Sequence, residues 1–264
     1  MIKLSANLSF LFTEVSFVER FKLASEAGFK AVEYFFPYEW DPFFLKKLLD
    51  EARIKQVLFN ISPGSFEKGE RGLASLIGRE REFKEQVKQS IHYAKILECP
   101  HIHIMAGIFD KNADLQKIKE TFKNNLAYAA EECGKNKIYV LIEPINSKDI
   151  PGYFLNYVDD AVRFINEINH PFLKLQLDLY HTQIMSGNLT HYLKKYIHLV
   201  KHIQIASTPN RNEPNKGEIN YEYIFNLIND LNYDGYIGCE YKPTHNTNES
   251  LGWAKQFGIK SLIT

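Results

Sequence analysis

The chain has 264 residues, of which 45% are hydrophobic and 24% are charged, the balance of an ordinary soluble globular protein. Its 32 Lys and Arg residues equal its 32 Asp and Glu residues, so the formal net charge is zero. Because there is neither a basic excess nor a basic run, the sequence argues against a nucleic acid bound through its phosphates.

The cysteines are few and far apart, at Cys99, Cys133 and Cys239, and they fit neither a disulfide framework nor a CxxC metal motif. We therefore expect a cytoplasmic protein with reduced cysteines. Asn7 and Ser9 interrupt the amino-terminal segment MIKLSANLSFLF, which does not fit a signal peptide. No apolar run approaches the roughly 18 residues of a membrane span, so we expect no membrane contact. A homo-oligomer is compatible with the sequence.

Short apolar runs alternate with segments of helical periodicity along the whole chain. Eight runs are predicted strands: Lys3–Leu8, Ala31–Phe35, Gln56–Asn60, His101–Met105, Tyr139–Glu143, Lys174–Asp178, His202–Ile205 and Ile237–Glu240. They start roughly 25–45 residues apart, which fits strand–helix units better than hairpins. No linker or low-complexity tract divides the chain. We therefore predict an α/β protein, a single-domain (β/α)8 TIM barrel over residues 1–264.

The segments between these strands carry helix signals. Ser16 and Glu19 form a capping-box pattern at the start of the first helix, and Gly28 is placed to end it. Apolar side chains recur every three or four residues over 83–94, as on the buried face of a helix. The last helix is predicted over Glu249–Phe257.

Two connections are unusually long for a barrel of this kind. The segment ISPGSFEKGERGLASLIGRE follows the third strand, and ASTPNRNEPNKGEINY follows the seventh. Both would lie at the carboxyl end of the barrel, where active sites of this fold are built. They are interpreted as lids or substrate-gripping loops, with plain solvated insertions as the alternative.

Four strands end in polar residues that could bind a metal: Glu143, Asp178, Gln204 and Glu240. In a closed barrel such strand ends converge on one point. Three carboxylates and one amide oxygen form a hard, oxygen-only set that favours Mg²⁺ or Mn²⁺ over Zn²⁺, Co²⁺ or Ni²⁺. The alternative is that these side chains cap helices or pair with lysines.

The histidines divide into one candidate site residue and several structural ones. His181 follows Asp178 by three residues and is predicted to be a further ligand or a donor to a substrate oxygen. His202 should lie one layer deeper than the site, as a hydrogen-bonded core residue. His101 and His103 are also predicted to be structural, since neither ends its predicted strand.

An acidic substrate would need a cation. Arg71 and Arg211 in the two long loops, and Lys242 beside the last strand, are the candidates; the alternative for each is a solvated loop charge. Asn7 and Asn60 end two strands and could reach the site as hydrogen-bond donors. The sequence contains no G-x-S-x-G elbow and no glycine-rich phosphate loop after a strand, so nucleophilic catalysis and nucleotide binding find little support.

At these residues the chain resembles the hydroxypyruvate isomerase family, within the xylose-isomerase-like and endonuclease-IV-like (β/α)8 barrels. The matching segments are SANLSFLF, AVEYFFPY, GERGLASLIGRE, LIEPINSKDIPGY, DLYHTQIMSGNLT, HIQIASTPNRNEPNKGEINY and YIGCEYKP. The neighbouring 2-oxo-tetronate isomerases share much of the pattern. FTEV and HIMAG look closer to them, whereas LIEPINSKDIPGY and GERG favour hydroxypyruvate isomerase.

The resemblance implies isomerisation of a sugar-acid substrate, hydroxypyruvate, to 2-hydroxy-3-oxopropanoate. It also implies catalytic roles for Glu143 and Glu240 and substrate contacts for His181 and Arg211. The divalent metal would be held at the positions matching Glu143, Asp178, Gln204 and Glu240. Such a reaction needs a base to remove a proton alpha to a carbonyl, an acid to return one, and stabilisation of the enediolate between them.

Four alternatives follow from the same residues. A 2-oxo-tetronate isomerase is the nearest, and a ketose 3-epimerase would share the metal set but act on longer, uncharged sugars. A non-catalytic barrel would bind a sugar acid without metal-dependent turnover. An endonuclease-IV-like enzyme is the least favoured, because its many metal-binding histidines are incompletely supplied here and the chain is neutral.

Overall fold

Eight parallel strands close into a barrel in the computed structural model, which describes residues 2–110 and 112–262. The strands are β1 (Leu4–Asn7), β2 (Ala31–Tyr34), β3 (Lys55–Asn60), β4 (His101–His103), β5 (Tyr139–Ile142), β6 (Leu173–Asp178), β7 (Val200–Ile205) and β8 (Ile237–Cys239). Each pairs with its neighbours in sequence, and β1 pairs in parallel with β8. The predicted (β/α)8 barrel is confirmed.

Helices connect successive strands. They are α1 (Phe17–Glu26), α2 (Pro42–Ala52), α3 (Glu80–Leu97), α4 (Leu115–Gly134), α5 (Val158–Ile168), α6 (Leu179–Met185), α7 (Leu189–Tyr196), α8 (Tyr221–Asp230) and α9 (Thr247–Ser250). The predicted capping box is present, with the backbone amide of Ser16 donating to the Glu19 carboxylate at 3.2 Å. Gly28 follows α1 at a φ of 102°, a left-handed conformation that glycine adopts without strain. Within the described ranges, no helix is long and apolar enough to cross a membrane.

The last helical segment differs from the predicted Glu249–Phe257 helix. Asn246 accepts a hydrogen bond from the backbone amide of Glu249 at 2.9 Å, so α9 starts two residues earlier than expected. From Leu251 to Phe257 the chain tightens into a 3-10 helix instead of continuing as an α-helix.

The strand β4 is shorter than predicted and ends at His103 instead of Met105. Beyond His103 the chain turns to meet the long loop after β3, whose Ser75 amide donates to the Ala106 carbonyl at 2.8 Å. The prediction that His103 does not end its strand is therefore wrong. The Ile104 amide still donates to the Leu141 carbonyl of β5 at 2.8 Å, but by Ala106 the backbone bonds to the loop. His101 is structural as expected, its Nδ1 lying 2.9 Å from the Val57 carbonyl.

Polar side chains occupy much of the barrel interior towards its carboxyl end. Glu33, His202 and Gln204 are all buried there, together with Ser5 and Gln176. Most barrels of this type fill the same layers with branched apolar residues. Buried polar groups are costly unless they are hydrogen-bonded, and these side chains bond to one another. The interior is therefore a connected network that ends at the strand termini.

The long loop after β3 lies directly on the backbone that follows β4. Gly72 and Gly107 adopt φ angles of 114° and 103°, and a Cβ atom at Gly72 would lie 2.2 Å from the Met105 carbonyl oxygen. Asn125 of α4 donates to the Ala74 carbonyl at 2.9 Å. The base of this loop is fixed by backbone contacts, and its exposed residues are 65–69, together with Ile77 and Gly78 just before α3.

Candidate active site

A cavity of about 470 Å³ opens at the carboxyl ends of the strands. Phe10, Phe35, Phe36 and Phe66 form an aromatic wall, and the first three rings are linked by edge-to-face or tilted contacts. The polar lining comes from strand ends and loops: Asn60, Arg71, His103, Glu143, Asp149, Gln176, His181, Arg211, Glu240 and Lys242. The size of the cavity suits a small molecule, and its lining offers that molecule one apolar and one charged side.

Glu143 follows β5 and Asp178 ends β6. In each, one carboxylate oxygen is hydrogen-bonded within the protein and the other is not, although Asp178 Oδ2 lies 3.8 Å from the Arg211 guanidinium. Glu143 Oε2 accepts a hydrogen bond from Gln176 at 3.0 Å, and Asp178 Oδ1 caps α6 by accepting from the Tyr180 amide at 2.7 Å. Glu143 Oε1 and Asp178 Oδ2 have no hydrogen-bond partner among the described residues. They lie 3.8 Å and 3.7 Å from His181 Nε2.

Glu240, immediately after β8, is fully engaged. Its Oε1 pairs with the Arg211 guanidinium, and its Oε2 accepts hydrogen bonds from Asn7 at 2.8 Å and from Gln204. Two strands and one long loop therefore orient this carboxylate. The expectation that Asn7 reaches the site as a donor agrees with this geometry.

Gln204 and Glu33 lie side by side beneath Glu240. The Gln204 amide nitrogen donates to Glu33 Oε1 at 2.8 Å, and its oxygen accepts from Gln176 at 2.7 Å. His202 Nε2 lies 2.7 Å from Glu33 Oε2, as fits the predicted hydrogen-bonded core residue. Burial alone would raise the pKa of Glu33, but the charge of His202 and these hydrogen bonds hold it below its usual value.

Arg211 enters the site from the loop after β7. Its backbone has a φ of 57°, a left-handed conformation that costs a non-glycine residue about 1–2 kcal/mol. Its amide donates to the Ser207 carbonyl at 2.9 Å, and its own carbonyl accepts from the Lys242 amide at 2.7 Å. The guanidinium lies between the rings of Phe10 and Tyr180, 4.9 Å from each centroid. The loop therefore fixes this cation in the site.

The site carries more buried negative charge than Arg211 can neutralise. Burial, and then repulsion from Asp178 and Glu240, raise the pKa of Glu143 well above its usual value. Burial also raises the pKa of Glu240 to about 8, against the opposing effect of Arg211. The pKa of Asp178 is raised for the same first reason. A second cation would stabilise the ionised carboxylates, and the free oxygens of Glu143 and Asp178 are suited to hold one.

The ligand atoms of Glu143, Asp178 and His181 lie within 4.8 Å of one another. Two of these residues belong to the predicted metal set, and His181 is the residue predicted to be either a further ligand or a donor to the substrate. The other two predicted ligands, Gln204 and Glu240, do not belong to this group. Gln204 accepts a hydrogen bond from Gln176, and Glu240 is paired with Arg211.

Arg71 and Lys242 lie at the mouth of the cavity. The Arg71 guanidinium stacks over Phe66 at 3.9 Å and donates to the carbonyls of Phe66 and Glu70 at 3.0 and 2.8 Å. Both acceptors are neutral, so the positive charge remains available to a ligand. Lys242 is exposed and lines the same rim.

Sequence reasoning assigned no site role to Glu33, Gln176 or His103. His103 lines the cavity, with its Nδ1 3.2 Å from Asn60 Oδ1 and 3.5 Å from Glu143 Oε2. Glu33 carried one signal, a charged residue within the apolar run AVEYFF. An acid in the middle of a buried strand needs partners, and those partners come from β1 and β7, which a single strand does not reveal.

The xylose isomerase-like TIM barrel family matches residues 21–257, and the chain belongs to this family. Its relatives include proteins named as isomerases. A 2-oxo-tetronate isomerase from Cupriavidus necator is 44% identical over 257 residues, covering 97% of this chain and 99% of the relative. The hydroxypyruvate isomerase of Escherichia coli is 41% identical over 253 residues, covering 96% and 98%.

A solved structure from Brucella melitensis, described as AP endonuclease, family 2, has the same fold with a TM-score of 0.96. It is 44% identical in sequence, and the match covers 97% of this chain and 99% of that one. Over nearly its full length the chain thus resembles relatives named as isomerases and one solved structure named as an endonuclease.

Proposed function

We propose that this protein is an isomerase that interconverts the aldose and ketose forms of a short sugar acid, with hydroxypyruvate and 2-hydroxy-3-oxopropanoate as the first candidate pair. The observation that carries the proposal is the pair of buried carboxylates, Glu143 and Glu240, that line one cavity. Full-length identity of 41–44% to named isomerases supports the same reaction class.

The two glutamates are proposed to move the proton. One removes it from the carbon alpha to the carbonyl, and the other returns a proton to the adjacent carbon after an enediolate has formed. Burial raises the pKa of both carboxyls, Glu240 to about 8, which brings them closer to the range where a carboxyl exchanges protons near neutral pH. Arg211 holds Glu240 in place and supplies a positive charge beside it.

A divalent cation, Mg²⁺ or Mn²⁺, is proposed to be held first by the free oxygens of Glu143 and Asp178. Glu240 and Gln204 would complete the predicted set if Arg211 and Gln176 release them. When bound, the cation would stabilise the negative charge of the enediolate as a Lewis acid. A carboxylate that binds the cation through one oxygen keeps the other for the proton.

The substrate carboxylate is proposed to bind at the mouth of the cavity, against Arg71 and Lys242. Arg71 has neutral hydrogen-bond acceptors, whereas Arg211 is already paired with Glu240. Guanidinium groups bind carboxylates through two parallel hydrogen bonds. This arrangement selects an acid over a neutral sugar and directs the reacting carbons towards the two glutamates.

A four-carbon acid is the second candidate substrate, favoured by the relative from Cupriavidus necator at 44% identity. A ketose epimerase and a nuclease are less favoured functions. Arg71 and Lys242 at the rim suit the carboxylate of a small acid, which neither of those functions requires. We also propose that the protein is cytoplasmic, since the three cysteines are free and buried.

Proton NMR in D₂O tests the proposal directly. The protein is given hydroxypyruvate or a 2-oxo-tetronate as purified, after EDTA, and after Mg²⁺ or Mn²⁺ is restored. Metal-dependent conversion with solvent deuterium at the carbon alpha to the carbonyl is expected, and the relative rates identify the substrate. Glu143→Gln and Glu240→Gln should each lose turnover, whereas the control Glu167→Gln on the outside of α5 should not. Failure to convert either acid with either metal overturns the assignment.

A further inference from the structure

The imidazole of His181 is held between two different environments. Its Nε2 faces the cavity and the free oxygens of Glu143 and Asp178, at 3.8 and 3.7 Å. Its Nδ1 faces away from the cavity, towards Asn146, which is fully buried. Which of the two nitrogens carries the hydrogen decides what this ring offers to a ligand.

Asn146 presents only hydrogen-bond donors to the ring. Its side-chain nitrogen lies 2.6 Å from His181 Nδ1, and its backbone amide donates to the same atom at 3.4 Å. The orientation of the side-chain amide is fixed independently of the histidine, because its oxygen accepts from the amides of Lys148 and Asp149 at 3.0 and 2.8 Å. Reversing the amide would place its nitrogen against those two donors.

We propose that Asn146 is a positioning residue that fixes His181 as the neutral tautomer with its hydrogen on Nε2. A hydrogen on Nδ1 would face the amide nitrogen of Asn146 at 2.6 Å, donor against donor. His181 therefore directs an N–H group into the cavity. An imidazole that binds a cation through Nε2 needs its hydrogen on Nδ1, so His181 is a hydrogen-bond donor and not a cation ligand.

The role of this N–H group in the reaction rests on the proposed function. The Nε2–H group would donate to the substrate oxygen on which negative charge develops, and the ring keeps its hydrogen throughout. The tautomer itself rests only on the hydrogen bonds of Asn146. Cation binding is then left to the oxygen atoms of the site, in agreement with the hard ligand set expected from the sequence.

Nitrogen NMR of the imidazoles tests the tautomer without substrate. The protein is labelled with ¹⁵N-histidine and treated with EDTA, and long-range proton–nitrogen spectra are recorded; His181→Gln identifies the signals of this ring. We expect a hydrogen-free Nδ1 and a hydrogen-bearing Nε2, unchanged when saturating Mg²⁺ is added. A charged ring, a hydrogen on Nδ1, or loss of the Nε2 hydrogen with Mg²⁺ would overturn the proposal.

Variants of the amide test the cause. In Asn146→Asp a carboxylate oxygen can accept from the ring, so the hydrogen should move to Nδ1, and turnover should fall at least tenfold. Asn156→Asp is the matched control, because that amide bonds the Ile145 carbonyl at 2.7 Å and should leave the ring signals unchanged. Unchanged ring signals in Asn146→Asp would overturn the role of Asn146. The expected wild-type spectrum without turnover of either acid would support the tautomer and overturn only the isomerase assignment.

Discussion

Adding one methyl group at Gly238 tests the polar network inside the barrel. Gly238 lies in β8, and a Cβ atom there would lie 2.3 and 2.5 Å from the two carboxylate oxygens of Glu33. The carboxylate cannot retreat freely, because it accepts hydrogen bonds from Ser5 at 2.7 Å, Gln204 at 2.8 Å and Asn7 at 3.3 Å. In Gly238→Ala, either the backbone of β8 or this carboxylate must move.

The cost follows from these contacts. Overpacking a close-packed interior costs about 1–3 kcal/mol. If Glu33 moves and gives up one hydrogen bond, a further loss of about 1.5–3 kcal/mol is expected for a charged acceptor. Gly238→Ala should therefore destabilise the protein by about 2.5–6 kcal/mol, or on the order of 10 °C in the melting temperature. Turnover should fall as well, because Asn7 and Gln204 link Glu33 to Glu240.

Thermal unfolding followed by circular dichroism measures the effect, with Gly252→Ala as the matched control. Apart from Gly252 itself and residues adjacent to it in the chain, no atom of the described residues lies within 4 Å of a Cβ built there, so that substitution should be neutral or slightly stabilising. Equal melting temperatures for Gly238→Ala and the wild type would refute the account of a carboxylate packed against β8.

Further predictions concern the site itself. Asp178→Asn keeps an oxygen to cap α6, so its free energy of unfolding should lie within about 1 kcal/mol of that of the wild type. It should nevertheless lose most of its turnover, because a carboxylate is gone, and normal initial rates would contradict this. Arg71→Gln should raise KM for acid substrates about 10–100-fold with little change in kcat, while the exposed control Arg81→Gln should leave both constants unchanged. Burial raises the pKa of Glu143 and Glu240, so the contribution of these two carboxyls to the stability of the metal-free protein should fall as the pH rises from about 4.5 towards 8. Mn²⁺ should then raise the melting temperature more at pH 8 than at pH 5; the reverse order would count against cation binding by these carboxylates.

The barrel and the strand-end carboxylates were predictable from the sequence alone. Each of the runs VLIEPIN, LQLDLYH and IGCEYKP changes from apolar residues to an acid at a single position, and strand ends of a closed barrel meet. Glu143, Asp178 and Glu240 accordingly lie around one site. This pattern is local to each strand, which is why one sequence suffices to find it.

The contacts that orient these side chains were not predictable in the same way. Glu33 is reached from β1 and β7, and Asn146 meets His181 across 35 residues of chain. Such pairings depend on the register of neighbouring strands and on the path of loops, which no periodicity encodes. The shortened β4 has the same origin, since the backbone just beyond it bonds to a distant loop.

The loop after β3 packs against the backbone after β4 through Gly72 and Gly107. The base of this loop is therefore constrained by packing, whereas its outer part is not. A side chain at Gly72 would collide with the Met105 carbonyl, whereas residues 65–69 are exposed and Phe66 among them lines the cavity. Changes in the outer residues can therefore reshape the mouth for a longer or shorter acid while Glu143 and Glu240 stay where they are. In a barrel built this way, the residues that set substrate length can change without altering those that transfer the proton. A change of substrate should therefore begin with substitutions at the cavity rim.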